Sequence, residues 1–411
     1  MRMGIVGFGK MGQAVWTVLR KAGFQVTTVM RGQDRAQAEK RRFLEKTERA
    51  LQRQGLGEKE RECRLQEMAE SCRFTHRLED LGDVDLVVEN VVEDKVVKKN
   101  LFRALEEVVR PNAWLLTNTS SLSLDELAEG LRAPWRFCGL HFFYPTALIP
   151  LVEIIPSRHT ETALVDSLKD FSLGLHRRPV VVCDGPGSVI NGVLVHYYAE
   201  AIYMLEEGAA MPSAVDEAAR DFFYVGPLES IDVIGLQLFL TGLRHAPPRW
   251  SAVPIRMPEG DVDGPAAEAT GTRPGYSFPS LFRKLLNDAR LGKSVGRGVF
   301  LYSSGKAQED VPEYYRDPRR LGPTHGRSLD RASIARRLLW AVFNGCLWAL
   351  HLKLAEPDAL DVGVREVLQM ERGPITWMRA LGKKTVTSTF QDLERQEGPR
   401  FHVPVPEKVF G

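Results

Sequence analysis

Across the first 180 or so residues, short apolar runs alternate with stretches whose apolar residues recur every three or four positions. The runs are Met3–Val6, Gln25–Val29, Val84–Val88, Ala113–Thr117, Phe137–His141 and Val180–Cys183. Continuous apolar runs suit strands buried on both faces, and their alternation with helical spacing predicts an α/β fold with a doubly wound parallel sheet. Asp184-Gly-Pro-Gly187 is a turn-rich break. Beyond it the pattern is mainly helical: a long helix over Val189–Glu207, a polar surface loop over Arg244–Ser277, a helix over Phe278–Leu291, a polar connection over Ser303–Arg327 and a second long helix over Ala332–Leu354. This predicts a nucleotide-binding domain over 1–186, a helical domain over 187–302, a linker over 303–330 and a second helical domain over 331–411.

The two helical parts share a faint repeat. Pro212-Ser-Ala-Val-Asp216 and Pro357-Asp-Ala-Leu-Asp361 lie 145 residues apart, and Gly226-Pro227 and Gly373-Pro374 lie 147 apart, as do Gly235 and Gly382. Three matches in one order, each copy preceded by a long helix, predict two tandem all-helical units that bury apolar surface against each other.

Composition narrows the function classes. Lys and Arg total 55 against 53 acids, a net charge of +2, which gives no reason to expect nucleic acid or a polybasic membrane anchor. The five cysteines form no CxxC pair, which argues against a disulfide framework or zinc site and fits a reducing cytoplasm. Met1-Arg-Met runs directly into a strand, so no leader is expected, and the apolar stretch Leu338–Leu354 is interrupted by Asn344, His351 and Lys353. The expectation is a cytoplasmic monomer or homodimer without membrane or metal.

Gly7-Phe-Gly9-Lys-Met-Gly12 follows the first strand and opens a helix. In that context the spacing is a Rossmann-type phosphate loop, with the first glycine making the turn, the second admitting a pyrophosphate and the third packing helix on strand. Lys10 and Met11 lie within it. At the end of the second strand an NAD site normally has an acid for the ribose 2′-hydroxyl. Here Met30 stands there and Arg31 follows. Methionine cannot accept that bond, whereas a guanidinium can pair a 2′-phosphate. The cofactor is therefore expected to be NAD(P), tilted toward NADP(H).

Arg42, Lys46, Arg49 and Arg53 recur at helical spacing on one face. They suit a polyanionic handle such as coenzyme A, or equally a solvated face with Glu45 and Glu48. Asn118-Thr-Ser-Ser121 and His141-Phe-Phe-Tyr-Pro145 follow strands, and Leu151-Val-Glu-Ile-Ile155 holds one acid in an apolar run. An imidazole titrates near neutrality, about 6.5, and can take a hydroxyl proton. A carboxylate on its far nitrogen fixes the tautomer. The residues alone leave open a buried histidine and an unrelated acid.

Taken in order, these motifs resemble the 3-hydroxyacyl-CoA dehydrogenase family. The likeness runs through Gly7–Gly12, Val87-Val-Glu-Asn90 with Glu93 and Lys98, Asn118–Ser121, His141-Phe-Phe, Leu151–Ile154, Gly185-Pro-Gly187, Asn191, Gly226-Pro227 and Leu291–Gly298. The helical duplication resembles the dehydrogenase half of fused β-oxidation enzymes. The resemblance implies interconversion of a 3-hydroxyacyl-CoA and a 3-ketoacyl-CoA by hydride transfer with a nicotinamide. It makes His141 the base, Glu153 its orienting partner, and Ser120 and Asn191 donors to substrate oxygens. It also implies that Glu93, Lys98, Ser120 and Tyr144 line the cofactor site, and that Lys46, Arg49, Arg53 and Ser120 contact the coenzyme A substrate.

The chain departs from the family at Met30 (usually an acid), Tyr144 (usually Asn), Ser188, Gly192 and Ser294. Three of these lie on the cofactor edge and suggest a specialised member. Two alternatives stay open: a dehydrogenase of the same fold acting on a free hydroxy acid or another carrier, and a non-catalytic nucleotide-binding protein.

Overall fold

The computed structural model describes residues 1–53, 57–185, 187–237, 239–240, 279–316, 328–405 and 407–410. The loop expected over Arg244–Ser277 and part of the linker expected over 303–330 lie outside these residues. The chain divides into two compact units, Met1–Asp184 and Gly185–Gly411.

The first unit is a single eight-stranded sheet flanked by helices. Its strands are β1 (Arg2–Val6), β2 (Gln25–Val29), β3 (Cys72–Thr75), β4 (Leu86–Glu89), β5 (Trp114–Thr117), β6 (Phe137–Phe142), β7 (Leu151–Pro156) and β8 (Arg178–Val181), in the order β3-β2-β1-β4-β5-β6-β7-β8. The helices are α1 (Lys10–Lys21), α2 (Gln33–Gln52), α3 (Glu58–Glu70), α4 (Lys95–Val108), α5 (Leu124–Ala128) and α6 (Thr162–Gly174). Met3, Ile5, Leu86, Val88, Leu140, Val152 and Ile154 meet Val15 and Leu19 of α1 and Leu164 and Leu168 of α6 in one core.

The expected α/β class holds, with two differences. Cys72–Thr75 and Leu151–Pro156 are strands beyond the six expected, and the sheet is not wholly parallel: β7 runs antiparallel to β6, and β8 runs with β7. The cause is the connection. A parallel return needs a crossover of a dozen or more residues, and positions 143–150 are too few. The reversal sets His141 directly opposite Glu153 in the ladder.

The second unit opens with α7 (Val189–Glu206), followed by α8 (Pro212–Ala219) and α9 (Pro227–Ile234). A long helix Arg331–His351 packs on α7. At Gly345 a Cβ would lie 2.8 Å from the Val193 carbonyl, so only glycine lets the two backbones come this close. The helices Pro357–Leu368 and Pro374–Leu381 repeat α8 and α9. In the first copy the Asp216 carboxylate accepts the N–H groups of Leu228 and Glu229 at 2.9 and 2.8 Å, and in the second Asp361 accepts Thr376 N–H and Oγ1, both at 2.8 Å. Each acid thus caps the next helix of its copy from a distance. The region expected as a linker is not plain coil where described: Leu301–Ser303 and Lys306–Gln308 form a hairpin, and Pro312–Tyr315 a helical turn.

Candidate active site

The glycine loop is built for close approach. Gly7 has φ +94°, and a Cβ there would lie 2.4 Å from the Asn90 carbonyl, while one on Gly12 would lie 2.1 Å from the Gly7 carbonyl. A Cβ on Gly9 would meet nothing within 4 Å. The backbone is therefore pressed in behind the loop and open in front of it. Among the described residues no side chain caps α1, which leaves its first N–H groups for an anion. A dinucleotide pyrophosphate fits this cradle.

Met30, expected beside the adenosine ribose, is buried at 4% exposure and packs with Phe8 and Ala36 against Trp16 and Phe74. Its side chain is the apolar floor of that corner. Arg31 is exposed. Lys10, at the first position of α1, reaches the other side of the loop, where its Nζ lies 4.2 Å from the centre of the Tyr144 ring.

Behind the carboxyl ends of β4 and β5 lies a buried charge network. Lys98, expected to line the cofactor site, is 1% exposed. Its Nζ binds both Glu89 oxygens at 2.7 Å and Glu93 Oε2 at 3.2 Å, which ties it to the 118–121 loop through Glu93. Glu93 Oε1 accepts from Thr119 Oγ1 (2.5 Å), Ser121 Oγ (2.7 Å) and the N–H groups of Ser120 and Ser121 (both 3.1 Å). Burial pushes the Glu93 carboxyl up, but Lys98 and these hydroxyls together hold it below the usual carboxylate range. In Glu89 burial prevails over Lys98 and raises it. Asn118 continues the network sideways: its Oδ1 accepts the Phe142 N–H at 2.7 Å, and its Nδ2 donates to Asn90 Oδ1 at 3.0 Å. The loop carrying Ser120 is thereby fixed beside the end of β6.

On β6, His141 is 5% exposed, with its Nδ1 2.8 Å from Oε2 of the fully buried Glu153. Opposed residues of an antiparallel pair point to one face, which is why the ladder delivers this contact. The Phe143 ring lies 4.6 Å from the imidazole, centre to centre. Arg42, Lys46 and Arg49 stand on the exposed face of α2 and Arg53 just past its end. With Glu45 and Ala50 they line a depression of about 380 Å³, in which Glu45 pairs with Arg49 at 3.7 Å. Asn191 belongs to the second unit, in the first turn of α7, where its N–H is taken by the Ser188 cap at 3.1 Å.

Sequence reasoning gave no role to Glu89, to Thr117, whose hydroxyl donates to Glu89 Oε2 at 2.6 Å, to Asn118 or to Thr119. Their signal was weak: polar residues at strand ends, two of them inside apolar runs.

An anion cradle at one end of a sheet edge and an imidazole–carboxylate pair further along it give a nucleotide-binding type of α/β domain with a candidate base beside it. Comparison with known proteins makes the class particular. Residues 2–185 match the 3-hydroxyacyl-CoA dehydrogenase NAD binding domain, and residues 187–302 match the 3-hydroxyacyl-CoA dehydrogenase C-terminal domain. The chain belongs to the 3-hydroxyacyl-CoA dehydrogenase family. It is 33% identical over 305 residues to a 3-hydroxybutyryl-CoA dehydrogenase of Mycobacterium tuberculosis (strain CDC 1551 / Oshkosh), covering 73% of this chain and 98% of that one. It is 28% identical over 410 residues to the peroxisomal bifunctional enzyme of Cavia porcellus, covering 96% of this chain but only 53% of that longer protein. The chain thus spans about half the length of the bifunctional relative. In fold it is similar to the crystal structure of 3-hydroxybutyryl-CoA dehydrogenase from Escherichia coli, with a TM-score of 0.76 at 22% identity over 98% of this chain and 96% of that one. No helix among the described residues is long and apolar enough to cross a membrane.

Proposed function

We propose that the chain interconverts a 3-hydroxyacyl-CoA and the corresponding 3-ketoacyl-CoA. The observation that carries this reading is the buried His141–Glu153 pair at 2.8 Å. In the oxidative direction His141 Nε2 takes the proton of the 3-hydroxyl. Glu153 holds Nδ1–H, fixes the tautomer and offsets the imidazolium charge. When bound, the nicotinamide cofactor supplies the hydride acceptor. The cradle of Gly7, Gly9 and Gly12 holds its phosphates. Glu93 fixes the 118–121 loop, so that Ser120 meets the substrate oxygen in one orientation. For Asn191 the support is its motif alone.

The substrate class is supported by the family and by the depression lined by Arg42, Lys46, Arg49 and Arg53, whose charge suits the phosphates of coenzyme A. A reducing compartment suits the exposed thiol of Cys63. We also propose that NADP(H) binds at least as well as NAD(H). Met30 offers a 2′-phosphate no repelling acid, and the exposed Arg31 follows it at the turn into α2.

The test is a spectrophotometric panel of acetoacetyl-CoA and longer 3-ketoacyl-CoAs with NADH and with NADPH, repeated with His141→Gln. The wild type should turn over, and the variant should lose roughly two to four orders of magnitude while remaining folded. Near-normal turnover by His141→Gln removes the assigned base.

A further inference from the structure

We propose that Lys10 and Tyr144 act together as an affinity-determining pair for the dinucleotide, with Lys10 supplying a cation to the pyrophosphate and the Tyr144 ring holding it there. The inference rests on the reading that a dinucleotide occupies the glycine loop.

The argument begins with topology. In an open α/β sheet the ligand crevice lies outside the carboxyl ends of the strands, where the strand order reverses. Here the reversal falls between β1 and β4. Lys10 follows β1, and Tyr144 follows β6, with β4 and β5 between them in the sheet. A contact between these two side chains therefore spans the carboxyl edge of β4 and β5, across the crevice. The contact exists: Lys10 Nζ lies 4.2 Å from the Tyr144 ring centre, within reach of a cation–π attraction. Lys10 is exposed at the first position of α1, whose N–H groups are open to an anion, and Gly9 beside it leaves space. An ammonium tethered here faces whatever phosphate the loop cradles.

The chemistry of the rest of the site shows what the pair is for. The ribose anchor expected at the end of β2 is absent, because Met30 is buried and accepts no hydrogen bond. Binding must draw more on the phosphates. A lysine on a free four-carbon stem gives a diffuse phosphate contact. The same lysine seated on a ring loses less freedom when the phosphate arrives. The pair does not discriminate at the 2′ position, so it should raise affinity for NADH and NADPH alike.

Isothermal titration of the full-length protein with NADH, NADPH, ADP and adenosine tests this without any turnover. Lys10→Met should weaken NADH, NADPH and ADP by about tenfold each and leave adenosine unchanged, as expected for loss of one charge-assisted phosphate contact. Tyr144→Ala should weaken the same three by about threefold, while Tyr144→Phe, which keeps the ring, should bind as the wild type. In the Lys10→Met background Tyr144→Ala should add nothing, because the ring then has no cation to hold. Thermal melting of each variant establishes that it is folded. An adenosine loss equal to the ADP loss overturns the proposal. So does an unchanged ADP affinity in Lys10→Met, a Tyr144→Phe as weak as Tyr144→Ala, or additive losses in the double variant. The titrations contain no acyl-CoA. A protein that binds NADH through this pair yet reduces no 3-ketoacyl-CoA refutes the substrate assignment and supports the pair.

Discussion

Among the described residues, a buried charge network behind β4 and β5 and another in the helical unit solve the same problem differently. Behind β4 and β5, one cation, Lys98, serves two carboxylates, Glu89 and Glu93. In the helical unit two guanidiniums serve three carboxylates. Arg337 binds Glu200, Glu207 at 3.1 Å and Glu397 at 3.0 Å, and Arg400 binds Glu200 at 2.9 Å, Glu207 at 2.8 Å and Glu397 at 3.3 Å. Each network thus holds one more carboxyl than it has cations. In the first, the surplus is drawn off toward the 118–121 loop through Glu93, which stays partly exposed and fans out to hydroxyls and N–H groups. In the second, planar forks clamp α7 to the C-terminal segment, and the charge is spent inside the helical unit. Point-like lysine leaves a carboxylate free to work elsewhere, whereas forked arginine uses up every partner it meets.

The largest effects should come from removing the cations. Lys98→Met leaves the buried Glu89 without its cation, and Arg337→Met leaves three buried carboxylates to Arg400 alone, so each should lose about 3–5 kcal/mol of stability in urea unfolding. They should differ in turnover at a temperature where both are folded. Lys98→Met should lose at least about tenfold in kcat, because the Ser120 loop loses its anchor, while Arg337→Met should keep kcat near wild type. Equal kcat losses would erase the distinction drawn above.

Changing only the shape of a cation should matter less and unequally. Arg337→Lys keeps the charge but gives up the planar fork and two of its five donors, and it should lose about 1–3 kcal/mol. Glu93→Gln should be milder still in stability, by about 1 kcal/mol, yet it should lower kcat while leaving the melting of the helical unit untouched. A kcat equal to wild type would mean that the loop holds itself without the carboxylate.

The smallest and sharpest difference is in pH. Glu93 is held below the ordinary carboxylate value. Its stabilisation is therefore present above about pH 4.3 and is lost as pH falls through that value toward its lower folded one. Glu397 runs the other way. Burial raises it, against Arg337 and Arg400, so its contribution is present at low pH and is lost as pH climbs from the ordinary value through its raised one. In melting curves from about pH 7 to about pH 3, the advantage of wild type over Glu93→Gln should shrink at the acid end and that over Glu397→Gln should grow with acid. Parallel slopes would contradict the two assignments.

Much of this could be read from the chain before any coordinates. Gly7, Gly9 and Gly12 sit in a strand–turn–helix context that little else produces, and the Asp216/Asp361 and Gly226/Gly373 offsets mark helical copies that cap themselves alike. What could not be read has physical causes. Cys72–Thr75 is four residues long and its alternation is too brief to show a period. Strand direction at β7 leaves no trace in the apolar run itself, which reads the same in both directions, and only the short connection at 143–150 carries it. Glu89 sits within an apolar strand nine residues from Lys98, and nothing in that spacing says that the side chains meet. Tyr144 was legible as a departure from the family pattern, but its contact with Lys10, 134 positions away, is made only by the sheet.

The antiparallel ladder of β6 and β7 has one more consequence. The short connection makes β7 return antiparallel, and backbone hydrogen bonds then set the strands in the register at which His141 and Glu153 meet. Past Phe143, whose ring lies on the imidazole, and Tyr144, the joining segment stands outside the paired residues. Residues can be inserted or deleted around Thr146–Ile149, and the imidazole and carboxylate stay face to face as long as the ladder keeps its pairing. A pair placed four residues apart on one helix has no such latitude, since every insertion between its members rotates one away from the other. Loop length at this edge can thus vary within the short range that keeps the return antiparallel, with the geometry of the pair held by the ladder beneath it.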